Sequence, residues 1–257
     1  MRKIIVQRLN EIEIEHDVRI LYACESGSRS WGFASKDSDY DVRFIYVRPL
    51  DWYLSINLEH KRDVIELPTD GVLDINGWDL RKALKLLRKS NPPLLEWLRS
   101  PIVYYDNTLI MAQIRNLMPK YYSPKACWYH YHHMAKGNYR EYLKGSEVWL
   151  KKYLYVIRPI LAAKWIIETG KLPPLDIDKL LSGLINAENL QDWELIEAIK
   201  SIVRRKKEGQ ELGFCRRIPV INDFINAELK QEAPDILGNQ NDLEELNGIF
   251  RRIVLGE

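Results

Sequence analysis

The residues best suited to chemistry in this chain are a glycine–serine pair and two aspartates that follow it. Ten residues separate Gly27-Ser28 from Asp39, and Asp41 stands two positions after Asp39. Side chains two apart on a strand share a face, so these carboxylates would repel each other unless a cation neutralises them. Mg²⁺ prefers such oxygen ligands, and a glycine turn can offer backbone N–H groups to a phosphate. The spacing therefore predicts metal-assisted phosphoryl or nucleotidyl transfer.

Each half of this pattern also has a simpler interpretation. A Gly-Ser pair alone is typical of a turn, and an Asp-x-Asp pair on a strand is more often a solvated face. Here an apolar run, VRILYAC, precedes the glycine, and another, VRFIYV, follows the second aspartate. The two motifs together, each next to a predicted strand, favour the functional interpretation.

The first part of the chain, residues 1–105, mixes helical and strand patterns, which predicts an α+β domain. Apolar residues at helical spacing predict a helix over 3–16, and VRILYACESGS is typical of a strand ending in a tight turn. Further strands are predicted in DYDVRFIYV, HKRDVIELP and GVLDING. Asp79 then stands where an N-cap is expected for a helix over LRKALKLLRK.

The second part, residues 106–257, has lost the strand pattern and predicts an all-α helical bundle. Helical periodicity is present in segments 110–121, 124–143, 147–169, 191–208 and 221–231. Pro or Gly lies between most of these segments. The boundary between the two predicted domains falls near 100–110.

Composition limits the class of protein. The 257 residues are 46% hydrophobic, which excludes global disorder and allows one large domain or two small ones. Because 38 basic residues face 36 acidic ones, nucleic acid would have to be bound by a local groove rather than a global field. The three cysteines form no CxxC pattern and suit a reducing compartment. No run reaches the roughly 18 uncharged apolar residues of a membrane span, so we expect a soluble, cytoplasmic protein.

Beyond these patterns, the chain resembles a known superfamily. Gly27-Ser28, ten residues, then Asp39-Tyr40-Asp41-Val42 is similar to the signature of the DNA-polymerase-β-type nucleotidyltransferases. The longer string GSRSWGFASKDSDYDVRFIYV resembles one branch, the bacterial and phage nucleotidyltransferases associated with RNA repair. The strings DINGWDLRKALKLL, KSNPPLLEWLRSP and KKYLYVIRPILAAKW are also similar to that branch, so the resemblance runs from about residue 20 to at least 167. It implies a mixed sheet flanked by helices in the first domain.

The resemblance also implies roles for the motif residues. Asp39 and Asp41 would bind two Mg²⁺ or Mn²⁺ ions, and Gly27 with the Ser28 hydroxyl would hold the triphosphate of an NTP such as ATP. The neighbouring turn residues Arg29 and Ser30 are assigned to the same nucleotide site.

A third carboxylate on a later strand completes such sites and helps to activate the attacking hydroxyl. Asp74 lies within an apolar strand run and is the favoured candidate. Asp79 is the next candidate, although a helix cap explains it well, and Asp63 lies at the start of a predicted strand.

Basic residues of the helical part are expected to reach the nucleotide. Lys151 and Arg158 are seven residues apart and so share a helix face, with Lys152 beside the first. Lys136 lies on the preceding predicted helix, next to aromatic residues. The alternative for both helices is an ordinary solvated or packed basic stripe.

Three functional hypotheses follow from these assignments. The first is a nucleotidyltransferase that adds a nucleoside monophosphate to an RNA end, which the resemblance favours. The second keeps the chemistry but transfers to a protein hydroxyl or a small molecule such as an aminoglycoside. The third is a non-catalytic nucleotide-binding module, against which the intact Asp39/Asp41 pair argues.

Overall fold

The structure is a computed structural model that describes residues 1–69, 71–186, 190–209, 213–233 and 242–256. Two compact units make up the chain. One unit comprises Met1–Ser30, Asp39–Tyr122 and Asn239–Glu257, and the other comprises Trp31–Ser38 and Ser123–Gly238. The chain therefore leaves the first unit after the glycine–serine turn and returns to it at Asp39.

A five-stranded mixed sheet lies at the centre of the first unit. Its strands are β1 (Arg19–Glu25), β2 (Tyr40–Val47), β3 (Val64–Glu66), β4 (Leu73–Asp79) and β5 (Val103–Asp106), in the order β3-β4-β2-β1-β5. β2 and β4 run parallel, whereas the other neighbouring pairs are antiparallel. The parallel pair brings the N-terminal ends of β2 and β4 side by side.

Helix α1 (Arg2–His16) covers one face of this sheet. Its buried residues recur at helical spacing, and the residues beneath it on β2 alternate along the strand as a half-buried strand requires. The core contains Ile5, Leu9 and Ile12 from α1 and Val42, Phe44 and Tyr46 from β2. The opposite face of β2 is thereby left to Asp41, Arg43 and Ile45.

The first unit contains further helices besides α1. They are α2 (Gly27–Ser30), α3 (Leu50–Tyr53), a 3₁₀ turn at Leu58–His60, α4 (Leu80–Arg88), α5 (Pro92–Trp97), α6 (Thr108–Tyr121) and the C-terminal α12 (Glu244–Leu255). The predicted cap of α4 is confirmed, because the Asp79 carboxylate accepts a hydrogen bond of 2.8 Å from the Arg81 amide.

The second unit is mainly helical. It contains α7 (Pro124–Tyr142), β6 (Glu147–Trp149), α8 (Leu150–Thr169), α9 (Ile177–Asn186), α10 (Trp193–Lys207), β7 (Phe214–Arg216) and α11 (Pro219–Glu228). Most of α8 is buried and forms the centre of this unit. The segment 31–38 packs here too, since the Trp31 ring meets the Tyr155 ring of α8 edge-on at 6.2 Å between centroids.

The α+β fold class is confirmed, and two details of the sequence analysis need correction. The helix predicted from residue 147 begins at Leu150, because 147–149 form β6. The second part is not entirely helical, since β6 pairs antiparallel with β7. The division into domains 1–105 and 106–257 stays a prediction, while α6 and α12 lie in the first compact unit. Within the described ranges, no helix is both long and apolar enough to cross a membrane.

Candidate active site

The register of the sheet places two of the predicted carboxylates next to each other. In the parallel pairing of β2 with β4, Asp41 stands directly opposite Asp74. Both residues lie at the N-terminal ends of their strands, and their side chains are 29% and 36% exposed. A substrate approaching this end of the sheet can therefore reach both carboxylates.

The glycine turn lies directly against Asp41. A Cβ added to Gly27 would stand 2.9 Å from Cγ of Asp41 and would overlap its Oδ2, and the glycine has a φ of +58°. The Ser26 amide also donates a 2.8 Å hydrogen bond to the Asp41 carbonyl. Only glycine fits at position 27, because both the left-handed backbone and the close approach exclude a side chain. Ser28 and Ser30 of α2 are buried beside this turn.

Arg29 connects the turn to the start of β2. Its Nε donates a 3.1 Å hydrogen bond to the Asp39 carbonyl, and its guanidinium lies 3.7 Å from the centre of the Tyr40 ring. Asp39 immediately precedes β2 and is exposed. The structure thus brings Gly27, Arg29 and both predicted metal-binding aspartates to one corner of the sheet.

The electrostatics of this corner are those of crowded carboxylates. Burial raises the pKa of the Asp41 carboxyl, and the charges of Asp74 and Asp39 raise it further, while Arg43 and Arg29 lower it. Burial and the acidic neighbours thus both disfavour the ionised form of Asp41. A positive charge brought to this point would favour the ionised form of Asp41.

Arg43 provides part of that positive charge, and the sequence analysis did not identify it. Its Nη2 lies 2.7 Å from Oδ2 of Asp74 and 3.3 Å from Oδ1 of Asp41. Its Nη1 also donates to the Asp74 carbonyl at 3.1 Å. The signal was the position of Arg43 two residues after Asp41 on the same strand face, but its link to Asp74 depends on the strand register.

Glu25 is the second residue that the sequence analysis did not single out. It is fully buried, and its Oε1 accepts a 2.7 Å hydrogen bond from the Asp41 amide. The Tyr104 hydroxyl donates to the other carboxylate oxygen. Burial raises the pKa of Glu25, while these two hydrogen bonds lower it. Glu25 therefore holds the amide of Asp41, and Ser26 holds its carbonyl.

The two alternative candidates for the third carboxylate have other partners. Asp79 is fully buried, caps α4 and accepts a 2.7 Å hydrogen bond from the Tyr53 hydroxyl. Asp63 forms a 2.9 Å ion pair with Lys82. Of the three candidates, the one placed opposite Asp41 is Asp74.

The predicted basic residues of the second unit lie in different surroundings. Arg158 is 2% exposed, with its guanidinium 4.3 Å from the Trp31 ring centre. Lys151 is exposed, with its Nζ 4.9 Å from the centre of the Trp149 ring, and the Lys152 Nζ is 3.8 Å from that of Tyr142. Lys136 is exposed on α7. Their assignment to a nucleotide site stays a prediction.

The donors at the corner of the sheet fit a hard divalent cation. In the described part of the chain, no three His, Cys, Asp or Glu side chains converge as a protein-only metal site would require. Mg²⁺, however, commonly takes one or two carboxylates and completes its shell with substrate phosphates and water. Mn²⁺ favours the same oxygen ligands. The carboxylates of Asp39, Asp41 and Asp74 therefore suit an ion that is shared with a bound triphosphate.

Comparison with known proteins agrees with this geometry. The family model described as "RNA repair pathway DNA polymerase beta family" matches residues 1–252. The fold and this match define a nucleotidyltransferase of the polymerase-β type, as the sequence resemblance predicts. The chain belongs to the RNA repair pathway DNA polymerase beta family.

The proteins similar to the chain include a bacterial relative and a protein of solved structure. A Bacillus subtilis (strain 168) protein, "Uncharacterized protein YcgL", is 46% identical over 258 residues, covering 99% of this chain and 96% of the relative. A solved structure of a nucleotidyltransferase-like protein from Exiguobacterium sibiricum 255-15 covers 98% of this chain and 80% of that one, with 8% identity and a TM-score of 0.33. The first likeness extends over almost the whole of both chains.

Proposed function

We propose that the chain transfers a nucleoside monophosphate from an NTP to an acceptor hydroxyl, with an RNA end as the acceptor. The observation that carries this proposal is the contact of the Gly27 turn with Asp41, which in turn stands opposite Asp74. A phosphate held by the turn would lie beside the carboxylates that bind its metal. The RNA acceptor is supported by the family description and by nothing in the geometry of this corner.

The residues of the corner have separate tasks in this proposal. The backbone of Gly27 and the Ser28 hydroxyl hold the triphosphate, and Arg29 and Ser30 complete the turn. Asp39 and Asp41 hold two Mg²⁺ or Mn²⁺ ions, and Asp74 contributes the third carboxylate. When bound, these ions would lower the pKa of the acceptor hydroxyl and neutralise charge on the pyrophosphate.

The proposed reaction is a displacement at the α-phosphorus of the NTP. The acceptor oxygen forms a bond to the α-phosphorus while the bond from that phosphorus to the bridging oxygen breaks, and pyrophosphate leaves. The proton of the acceptor hydroxyl passes to Asp74, whose side chain is 36% exposed and so accessible to the acceptor. The nucleotide would also be bound by basic residues of the helical unit, namely Lys136, Lys151, Lys152 and Arg158. We place the protein in the cytoplasm.

The experiment is a labelling assay with each of the four α-labelled NTPs, with Mg²⁺ or Mn²⁺, and with RNA, DNA, protein and aminoglycoside acceptors. We expect label on RNA, and we expect the Asp39→Ala and Asp41→Ala variants to lose it. Asp63→Ala is the matched control, because the Asp63 carboxylate pairs with Lys82 whereas Asp74 is the candidate that stands opposite Asp41. Label on protein or aminoglycoside alone would replace the RNA acceptor, and full activity in both aspartate variants would reject the site.

A further inference from the structure

The two-stranded sheet of the second unit exposes two aromatic rings side by side. Trp149 of β6 stands directly opposite Phe214 of β7, with ring centroids 4.7 Å apart. Trp149 is 40% exposed and Phe214 is 62% exposed. Val148, on the other face of β6, is buried. The sheet therefore uses one face for the core of the unit and presents the other to solvent.

Basic side chains flank the exposed rings. The Lys151 Nζ lies 4.9 Å from the centre of the Trp149 ring. Arg216 is exposed and lies two residues after Phe214, so it shares the face of the aromatic pair. In the described ranges neither Lys151 nor Arg216 takes part in an ion pair. We call Trp149, Phe214, Lys151 and Arg216 the aromatic–basic face.

We propose that the aromatic–basic face binds single-stranded RNA. Every base has a flat surface that can stack on a Trp or Phe ring, and lysine and arginine beside the rings can pair with the phosphates that connect successive bases. The bases of a duplex are already stacked and paired, so single strands are favoured. The choice of RNA rests on the proposed function, for which this face would hold the acceptor strand.

The charge of the face favours a polyanion over a neutral protein surface, and the exposed rings favour a nucleic acid over an acidic protein surface because bases can stack on them. On this face Lys151 and Arg216 are basic, and Glu147, opposite Arg216 on the ladder, is the acidic residue. The chain as a whole has a formal charge of only +2. A local basic excess next to exposed rings is therefore a specific feature of this face, and it complements a polyanion.

The test measures the Kd of the full chain for a fluorescently labelled 12-nucleotide RNA by anisotropy, without NTP. We expect Trp149→Ala and Phe214→Ala each to weaken binding about tenfold, because base–aromatic stacking is lost. Trp149→Phe should retain most of the affinity. Lys151→Gln and Arg216→Gln should each lower the slope of log Kd against log salt by about 0.7.

Trp193→Ala is the matched control, since Trp193 is 66% exposed but lies at the start of α10. It should bind RNA like the wild type, and circular dichroism should show that all variants are folded. Unchanged Kd values for Trp149→Ala and Phe214→Ala would overturn the proposal, whether the face is idle or binds a protein. Because binding is measured without NTP, RNA binding without nucleotidyl transfer would reject the proposed function alone.

Discussion

At the scale of single residues, the candidate site depends on how tightly Asp41 is held. Its side chain lies against the Cα of Gly27, its carbonyl accepts from Ser26, and its amide donates to Glu25. Such supporting contacts limit where a carboxylate can place a metal ion.

Replacement of Gly27 by alanine should abolish nucleotidyl transfer. The added methyl group would overlap the Asp41 carboxylate, and the φ of +58° adds backbone strain of about 1–2 kcal/mol. Gly71→Ala is the control, since Gly71 has a φ of +57° but no atom of the described residues within 4 Å of an added Cβ. The measurement is the transfer rate together with the free energy of unfolding. Equal activity in the two variants would show that the contact of Gly27 with Asp41 is not required.

Glu25 should act as a positioning residue for Asp41. In Glu25→Ala the Asp41 amide and the Tyr104 hydroxyl lose their acceptor, so we expect each unpaired group to cost about 1–3 kcal/mol of the free energy of unfolding. The affinity for Mn²⁺ in the presence of NTP should fall about 10–100-fold. Glu25→Gln keeps an amide oxygen for the Asp41 N–H and should retain most of the affinity. Equal loss in both variants would point to the charge of Glu25 rather than to its hydrogen bond.

At the scale of elements, the sequence predicts strands and helices better than it predicts their partners. The helix over 3–16, the strands that contain Asp41 and Asp74, and the cap of α4 are all confirmed. The parallel register that sets Asp41 opposite Asp74 depends on contacts distant in sequence, so the bridge formed by Arg43 was not predictable. β6 and β7 were not predicted, because each is only three residues long and they are far apart in the sequence, with no hairpin turn to mark their pairing.

Replacement of Asp79 tests whether this alternative third carboxylate has a structural role. Asp79→Ala removes the cap of α4 and the acceptor of the Tyr53 hydroxyl, so we expect the free energy of unfolding to fall by about 2–3 kcal/mol. Asp79→Asn retains an acceptor oxygen and should restore most of this loss. Transfer activity measured well below the melting temperature should survive in Asp79→Asn. Loss of activity in a fully folded Asp79→Asn variant would bring Asp79 back as a candidate.

The stability of the wild type relative to Asp79→Asn should also depend on pH. Burial raises the pKa of Asp79 above its ordinary value in the folded chain. An acid with a raised folded pKa contributes stability below its unfolded pKa, and this contribution is lost as the pH rises through the folded pKa. The free energy of unfolding of the wild type should therefore fall relative to that of Asp79→Asn as the pH rises from about 4. Urea unfolding of both proteins across that pH range provides the measurement. A relative gain in the stability of the wild type with rising pH would contradict the raised pKa of Asp79.

At the scale of the whole molecule, the glycine turn and Asp39 are joined along the chain by a segment of the helical unit. Residues 31–38 belong to the helical unit, yet they directly follow α2 and directly precede Asp39. Trp31 contacts Tyr155 and Arg158 within that unit, and its carbonyl accepts a 3.0 Å hydrogen bond from the Ile177 amide. The packing of Trp31 therefore anchors, within the helical unit, the segment that joins α2 to Asp39 along the chain.

Trp31→Ala should consequently affect both stability and transfer. Loss of a half-buried indole should lower the free energy of unfolding by about 2 kcal/mol, less than for a fully buried aromatic residue. The transfer rate at a temperature where the variant is folded should also fall, because the segment between Ser30 and Asp39 loses its anchor. Trp193→Ala, which removes an exposed indole, is the control for both quantities. An unstable variant with a wild-type transfer rate would show that the anchor serves stability alone.

The most direct measurement is Mn²⁺ binding, followed by electron paramagnetic resonance in the presence of a non-hydrolysable NTP analogue. The wild type and Asp63→Asn should bind the ion equally well, whereas Asp39→Asn and Asp41→Asn should each lose most of the affinity although the proteins remain folded. If Asp41→Asn binds Mn²⁺ as tightly as Asp63→Asn does, the carboxylates beside Gly27 are not the metal site, and the assignment of the reaction to this corner of the sheet is wrong.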